Sequence, residues 1–140
     1  MFNNILLAVD GSEYALRAAR VAANLANAMN SKVLRVVVAY APIPAYLGEP
    51  NLQDAITARL REAQQILQKA VEEMGTLSAE LYTDTIEGDA AESIIQIART
   101  RQSDVIIMGS RGLGRLAGML LGSTSQKVVA HAPCPVLIVR

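Results

Sequence analysis

The chain has 140 residues, 51% of them hydrophobic, and its 13 basic and 13 acidic side chains cancel to zero net charge. That length suits a single domain over 1–140, and that composition excludes a disordered chain. Neutrality argues against nucleic-acid and membrane-surface partners, and the longest apolar run, Val36 to Ala41, is far short of the ~20 residues of a membrane helix.

The N-terminus lacks a basic start and a cleavage signal, so Ile5–Val9 reads as a first strand rather than a secretion signal. Asp10-Gly-Ser12-Glu13 carries helix-start chemistry and opens an alanine-rich helix to about Met29, with Val21, Leu25 and Met29 on one face. Val33–Tyr40 predicts a second strand. Ala41 to Pro50, with three prolines and a glycine, predicts a loop of functional length whose Tyr46 and Leu47 are available to fold over something. From Asp54 to Met74, the residues Ile56, Leu60, Ala63, Leu67, Ala70, Val71 and Met74 recur at helical spacing, and Gly75 is the stop.

Ala79–Ile86 is more polar and predicts an edge strand. Asp89 caps a third helix with Ile94, Ile95 and Ala98 inward, and Val105–Met108 predicts a buried fourth strand. A fourth helix runs from about Ser123 to His131 and stops before Pro133; Val136–Val139 is the last strand. Strand and helix alternate throughout. The expected fold is α/β, a doubly wound three-layer sandwich on a parallel five-stranded sheet. Cys134 is the only cysteine, so no internal disulfide forms and the cytoplasm is the expected compartment.

One stretch carries chemistry. Gly109-Ser-Arg-Gly112 is followed, nine residues later, by Gly122-Ser123-Thr124. No acidic residue occurs from Val105 to Arg140, whereas Arg111, Arg115, Lys127 and Arg140 do. A glycine-rich, acid-free loop between a strand and a helix lets amides converge on phosphate, and the helix start adds its dipole. Other nucleotide motifs fail. No Gly-Lys pair exists for a P-loop, and Gly112, Gly114 and Gly118 are one residue too widely spaced for the Rossmann fingerprint. No His-Arg-Asp loop suggests a kinase.

The complete pattern, G-x2-G-x9-G-[ST], resembles the ATP-binding branch of the universal stress protein family. The resemblance runs from Ile-Leu-Leu-Ala-Val-Asp10-Gly-Ser through Ser-Asp-Val-Ile-Ile-Met-Gly-Ser-Arg-Gly to Ala-Pro-Cys-Pro-Val-Leu-Ile-Val-Arg140. It implies strand order 3-2-1-4-5, which brings Asp10 and Gly109 together where the order reverses. It also implies ATP and Mg²⁺ as ligands. Gly109 and Gly112 then contact the triphosphate, and Gly122, Ser123 and Thr124 bind phosphates at the last helix. Asp10 faces the ribose or holds the metal. Val38 reads adenine through its backbone, and Ala8 and Val9 line the pocket. Met108 and Ser125 complete the expected set, with Arg111 and Arg115 adding charge. The family's last strand pairs with a second copy, implying a homodimer through Val136–Val139.

Plainer readings stay open. The glycines serve a turn and a close helix contact; Asp10 caps a helix in Asp-x-x-Glu; Ala8, Val9 and Val38 are core; the arginines are solvated. His131 suits the negative end of a helix, and Cys134 a small buried position. The leading expectation is a nucleotide-dependent regulatory module acting through a protein partner. The chain has no evident base beside a γ-phosphate, so turnover is expected to be absent or slow. Self-phosphorylation would fall on Ser123, Thr124 or Ser125. A true enzyme needs further acids at strand ends, where Glu87 and Asp89 stand. A receiver-like domain with Asp10 as phosphoacceptor lacks the acidic cluster it needs, and the intact glycine motif opposes the family's branch that binds no ATP.

Overall fold

A computed structural model describes residues 1–113 and 120–140. Five strands, β1 (Asn4–Ala8), β2 (Val33–Tyr40), β3 (Glu80–Glu87), β4 (Val105–Gly109) and β5 (Val136–Val139), alternate with α1 (Glu13–Met29), α2 (Asn51–Met74), α3 (Ala90–Thr100) and α4 (Ser123–His131). The strands are parallel and ordered β3-β2-β1-β4-β5, as expected. Arg115, Gly114 and Gly118 lie outside the described residues.

Side chains alternate across the sheet. Ile5, Leu7, Val36, Val38 and Ile107 face α1 and α2 on one side. Leu6, Ala8, Val37, Ile106 and Met108 face α3 and α4 on the other. Both faces are covered, which explains the near-continuous Val/Ile runs.

The buried face of helix α1 is built from alanines rather than from its larger apolar residues. Its buried stripe is Ala15, Ala18, Ala19, Ala22, Ala23 and Ala26. Leu25 packs only at the margin, and Met29 is 37% exposed. Methyl-sized side chains let the helix axis approach the sheet, so the larger residues are displaced to the flanks. Ser12, not Asp10, is the N-cap, its hydroxyl accepting from the Ala15 amide at 3.1 Å. At the other end Asn30 adopts a left-handed conformation and closes the last turn.

The loop after β2 forms a short 3₁₀ turn at Ala45–Leu47, and α2 starts at Asn51, three residues earlier than its apolar spacing suggested. Tyr46 is 87% exposed and Leu47 is exposed too. Asp89 caps α3 as expected, and Ile94, Ile95 and Ala98 are buried. β3 and β5 form the two sheet edges.

Candidate functional site

The strand order reverses between β1 and β4, and a cleft of ≈ 290 Å³ opens beyond their carboxyl ends. That size is near the lower bound of small-molecule sites. Of the residues expected there from sequence, Ala8, Val9, Asp10, Met108, Gly109, Arg111, Gly112, Gly122, Ser123, Thr124 and Ser125 all line it. Chain segments a hundred residues apart therefore meet at one place.

Asp10 sits two residues past β1. Its Oδ1 accepts from the Ser12 amide at 3.0 Å, fixing the turn into α1. Oδ2 faces the second loop, and a Cβ on Gly112 would land on that oxygen. Any side chain at Gly112 would displace the carboxylate tip, so glycine lets the loop lie against Asp10 as it stands. Gly109 has a different reason: a Cβ there would come within 2.7 Å of Tyr14 Cβ and 2.9 Å of the Tyr14 carbonyl carbon. The end of β4 abuts the first turn of α1. Gly122 is less constrained, since its Cβ would meet Arg111, Gly112 and Ser110 backbone only at ordinary contact distances of 3.5–3.7 Å.

The loop's two ends are joined by hydrogen bonds. The Gly122 amide donates to the Ser110 carbonyl at 2.7 Å, and the Ser110 amide donates to the Val139 carbonyl at 2.7 Å. The buried Ser125 hydroxyl donates to the Gly109 carbonyl at 2.9 Å, pinning the first turn of α4 beneath the end of β4. Ser123 and Thr124 face the cleft at a helix start with no side-chain cap and no acid in its first turn. Such a start keeps unpaired amides and a positive dipole end. Both suit an anion.

Val38 stands apart. Its side chain is buried on the α1/α2 side, and the cleft is lined by its neighbours Val37 and Ala39. The Val37 carbonyl accepts from Val9, and the Tyr40 carbonyl accepts from Gly88. Backbone groups alternate along a strand, so those of Val38 aim at β3. Those of Ala39 aim at the β1 side, where the pairing has ended at Ala8. Sequence reasoning also passed over Ser12, Ala15, Ala90 and Ile94 as lining residues. The serine two positions after Asp10 was a legible cap signal; the others are small or apolar and carried none.

Asp89 and Glu87 supply no reactive group to the cleft. Asp89 accepts from the Glu92 amide at 3.0 Å and pairs with Lys127 at 3.6 Å. That amide bond, with the Lys127 charge, holds its carboxyl below the usual value. Among the described residues no group of three or more His, Cys, Asp or Glu side chains is arranged to hold a metal. Cys134 is half-buried in the α3/α4 core; burial, then the Asp104 charge, push its thiol up, which disfavours the nucleophilic thiolate. His131 is exposed in the last turn of α4. No described helix is long and apolar enough to cross a membrane.

A model of the Universal stress protein family matches residues 1–140. The chain is 47% identical over 140 residues to a protein of Thermus aquaticus named "Universal stress protein in QAH/OAS sulfhydrylase 3'region", covering 100% of both chains. Among solved structures it is similar to universal stress protein UspA from Lactobacillus plantarum, with TM-score 0.86 and 28% identity, covering 99% of this chain and 98% of that one. It is also similar to a universal stress protein solved in complex with cAMP, with TM-score 0.68 and 27% identity, over 97% of this chain and 95% of that one.

Proposed function

The chain belongs to the universal stress protein family, and from that membership we propose that its β1–β4 cleft binds an adenine nucleotide, ATP with Mg²⁺, and that the bound form regulates a protein partner. The observation that carries this is the uncapped start of α4 standing directly beside the glycine loop in the wall of the cleft. Gly109, Gly112, Gly122, Ser123 and Thr124 would cradle the phosphates through amides and hydroxyls. Asp10 keeps one carboxylate oxygen beside the loop, and Mg²⁺ needs only one or two carboxylates besides phosphate and water. A relative solved with cAMP supports an adenine ligand. For the base, Ala39 offers outward-facing backbone where Val38 was expected to. Ala8, Val37 and Met108 supply an apolar wall.

Asp10 is the only acid among the described lining residues. With no second base to orient water, holding the nucleotide is favoured over turning it over. Ser125 is committed to the Gly109 carbonyl, leaving Ser123 and Thr124 as the freer hydroxyls.

The β5 edge is wholly apolar, with Leu137 39% exposed, whereas the β3 edge carries Glu80, Asp84 and Glu87. Charges protect a free edge, and their lack favours a covered one. Pairing of Val136–Val139 in a homodimer fits this, and Leu137→Arg is expected to give monomers by sedimentation.

Mass spectrometry of nucleotide released by denaturing purified protein tests the site, beside a Ser123→Glu variant. Glutamate in the first turn suits the helix but repels phosphate. ATP from the parent and none from the folded variant is the expected result. ADP alone would favour turnover. No nucleotide, and no binding of Mg-ATP up to millimolar concentration, would overturn the proposal.

A further inference from the structure

Arg111 puts a cation on the cleft wall, and no carboxylate among the described residues pairs with it. Its guanidinium lies instead over the Tyr14 ring, 5.9 Å from the centroid. Arg17, one helical turn beyond Tyr14, lies 5.1 Å from the same centroid. The Tyr14 backbone and Cβ fill the space beside Gly109, so the base of this side chain is fixed against the end of β4. The Arg111 Cα lies 3.5 Å from where a Gly122 side chain would begin, so the backbone that carries the Arg111 side chain runs beside the uncapped start of α4. A ring attracts a guanidinium without neutralising it, and the N–H donors stay available to an anion. The like charge of Arg17 on the same ring disfavours Arg111 settling further onto it.

We propose that Tyr14 is a positioning residue that holds the Arg111 guanidinium at the phosphate end of the cleft, so that the site grades adenine nucleotides by phosphate number. This rests on the nucleotide reading above. It assigns to the first turn of α1 a part in ligand selection that its sequence does not advertise.

Calorimetric titration of the full chain with Mg-ATP and with AMP tests it through the ratio of the two affinities. The parent is expected to favour ATP. Arg111→Gln should lower the ratio about tenfold, the scale of one charge-assisted phosphate contact. Tyr14→Leu keeps the Cβ that Gly109 packs against but removes the ring, and should lower the ratio about threefold, the scale of an exposed cation–π contact. Tyr14→Phe keeps the ring and should restore the parental ratio. A parent that binds both nucleotides equally, an unchanged ratio in Arg111→Gln, or a Phe variant that behaves like Leu would overturn this assignment while leaving nucleotide binding intact. A parent that binds neither nucleotide would overturn both. Should the leucine variant fail to fold, Tyr14→Met, which also keeps the Cβ and removes the ring, is read in its place against the same expectation of about threefold.

Discussion

Two helices start at the same end of the sheet and wall the same cleft, yet they start in opposite ways. α3 opens on Asp89, whose carboxylate accepts from the Glu92 amide, and Lys127 pairs with both acids. α4 opens on Gly122, with no side-chain cap and no acid in its first turn. The positive end of α3 is answered within the chain. That of α4 is left for water or for a bound anion. A helix start beside a cleft therefore points to an anionic ligand only where the protein has not supplied its own anion.

The largest expected effect comes from Gly109→Ala, which drives a methyl into the Tyr14 backbone and loosens the strand end that holds α4 in place. It should cost about 2–3 kcal/mol in denaturant unfolding, as overpacking does; a loss under about 0.5 kcal/mol would mean that β4 and α1 can part freely.

Ser125→Ala removes the buried hydroxyl bond that pins α4 to the Gly109 carbonyl. A loss of about 1–2 kcal/mol is expected from chemical denaturation, with weaker nucleotide binding because the helix start shifts.

Gly122→Asp would convert the α4 start into an α3-like one. The backbone at Gly122 (φ −69°, ψ 164°) accepts any L residue, so stability should rise by a few tenths of a kcal/mol, read as a small gain in Tm. Nucleotide affinity should fall steeply. Retained affinity would break the contrast between the two helices.

The smallest effect is the pH response of the α3 start. The Asp89 carboxyl titrates below its ordinary value, chiefly through the Glu92 amide bond and then the Lys127 charge. A depressed carboxyl stabilises the fold above its unfolded value and loses that contribution as pH falls through the folded one. The parent should melt above Asp89→Asn near neutrality, with the gap closing as pH drops below the usual aspartate range. A pH-independent gap in thermal melts would show that the carboxylate charge is not what α3 uses.

The fold was legible because its signals are local. Val/Ile runs of strand length, helical spacing in α2 and α3, Gly75 and Asp89 each act within a few residues, and the structure keeps all of them. The candidate site was legible through residue type: glycines bare the backbone amides and hydroxyls add donors, and their spacing sets them at a strand end and a helix start. Sequence and structure part where a residue's role depends on what lies opposite it. Val21, Leu25 and Met29 suit the inner face of α1 by size, but the sheet admits only its alanines. Asp10 has the chemistry of a cap, but Ser12 is closer to the helix start. Val38 and Ala39 are equivalent as letters, and only the pairing with β1 and β3 determines which backbone faces the cleft.

The sequence alone determined the order of elements, the parallel sheet and the chemistry of the loop, because each depends on periodicity or on residue type. Tertiary structure alone decided what a side chain at each glycine would meet: the α1 backbone at Gly109, the Asp10 carboxylate at Gly112, and only ordinary contacts at Gly122. It also decided that the Arg111 guanidinium lies over an aromatic ring rather than beside a carboxylate. Those outcomes depend on distances between segments about a hundred residues apart, and no local pattern encodes a distance that the packing of the whole sheet sets.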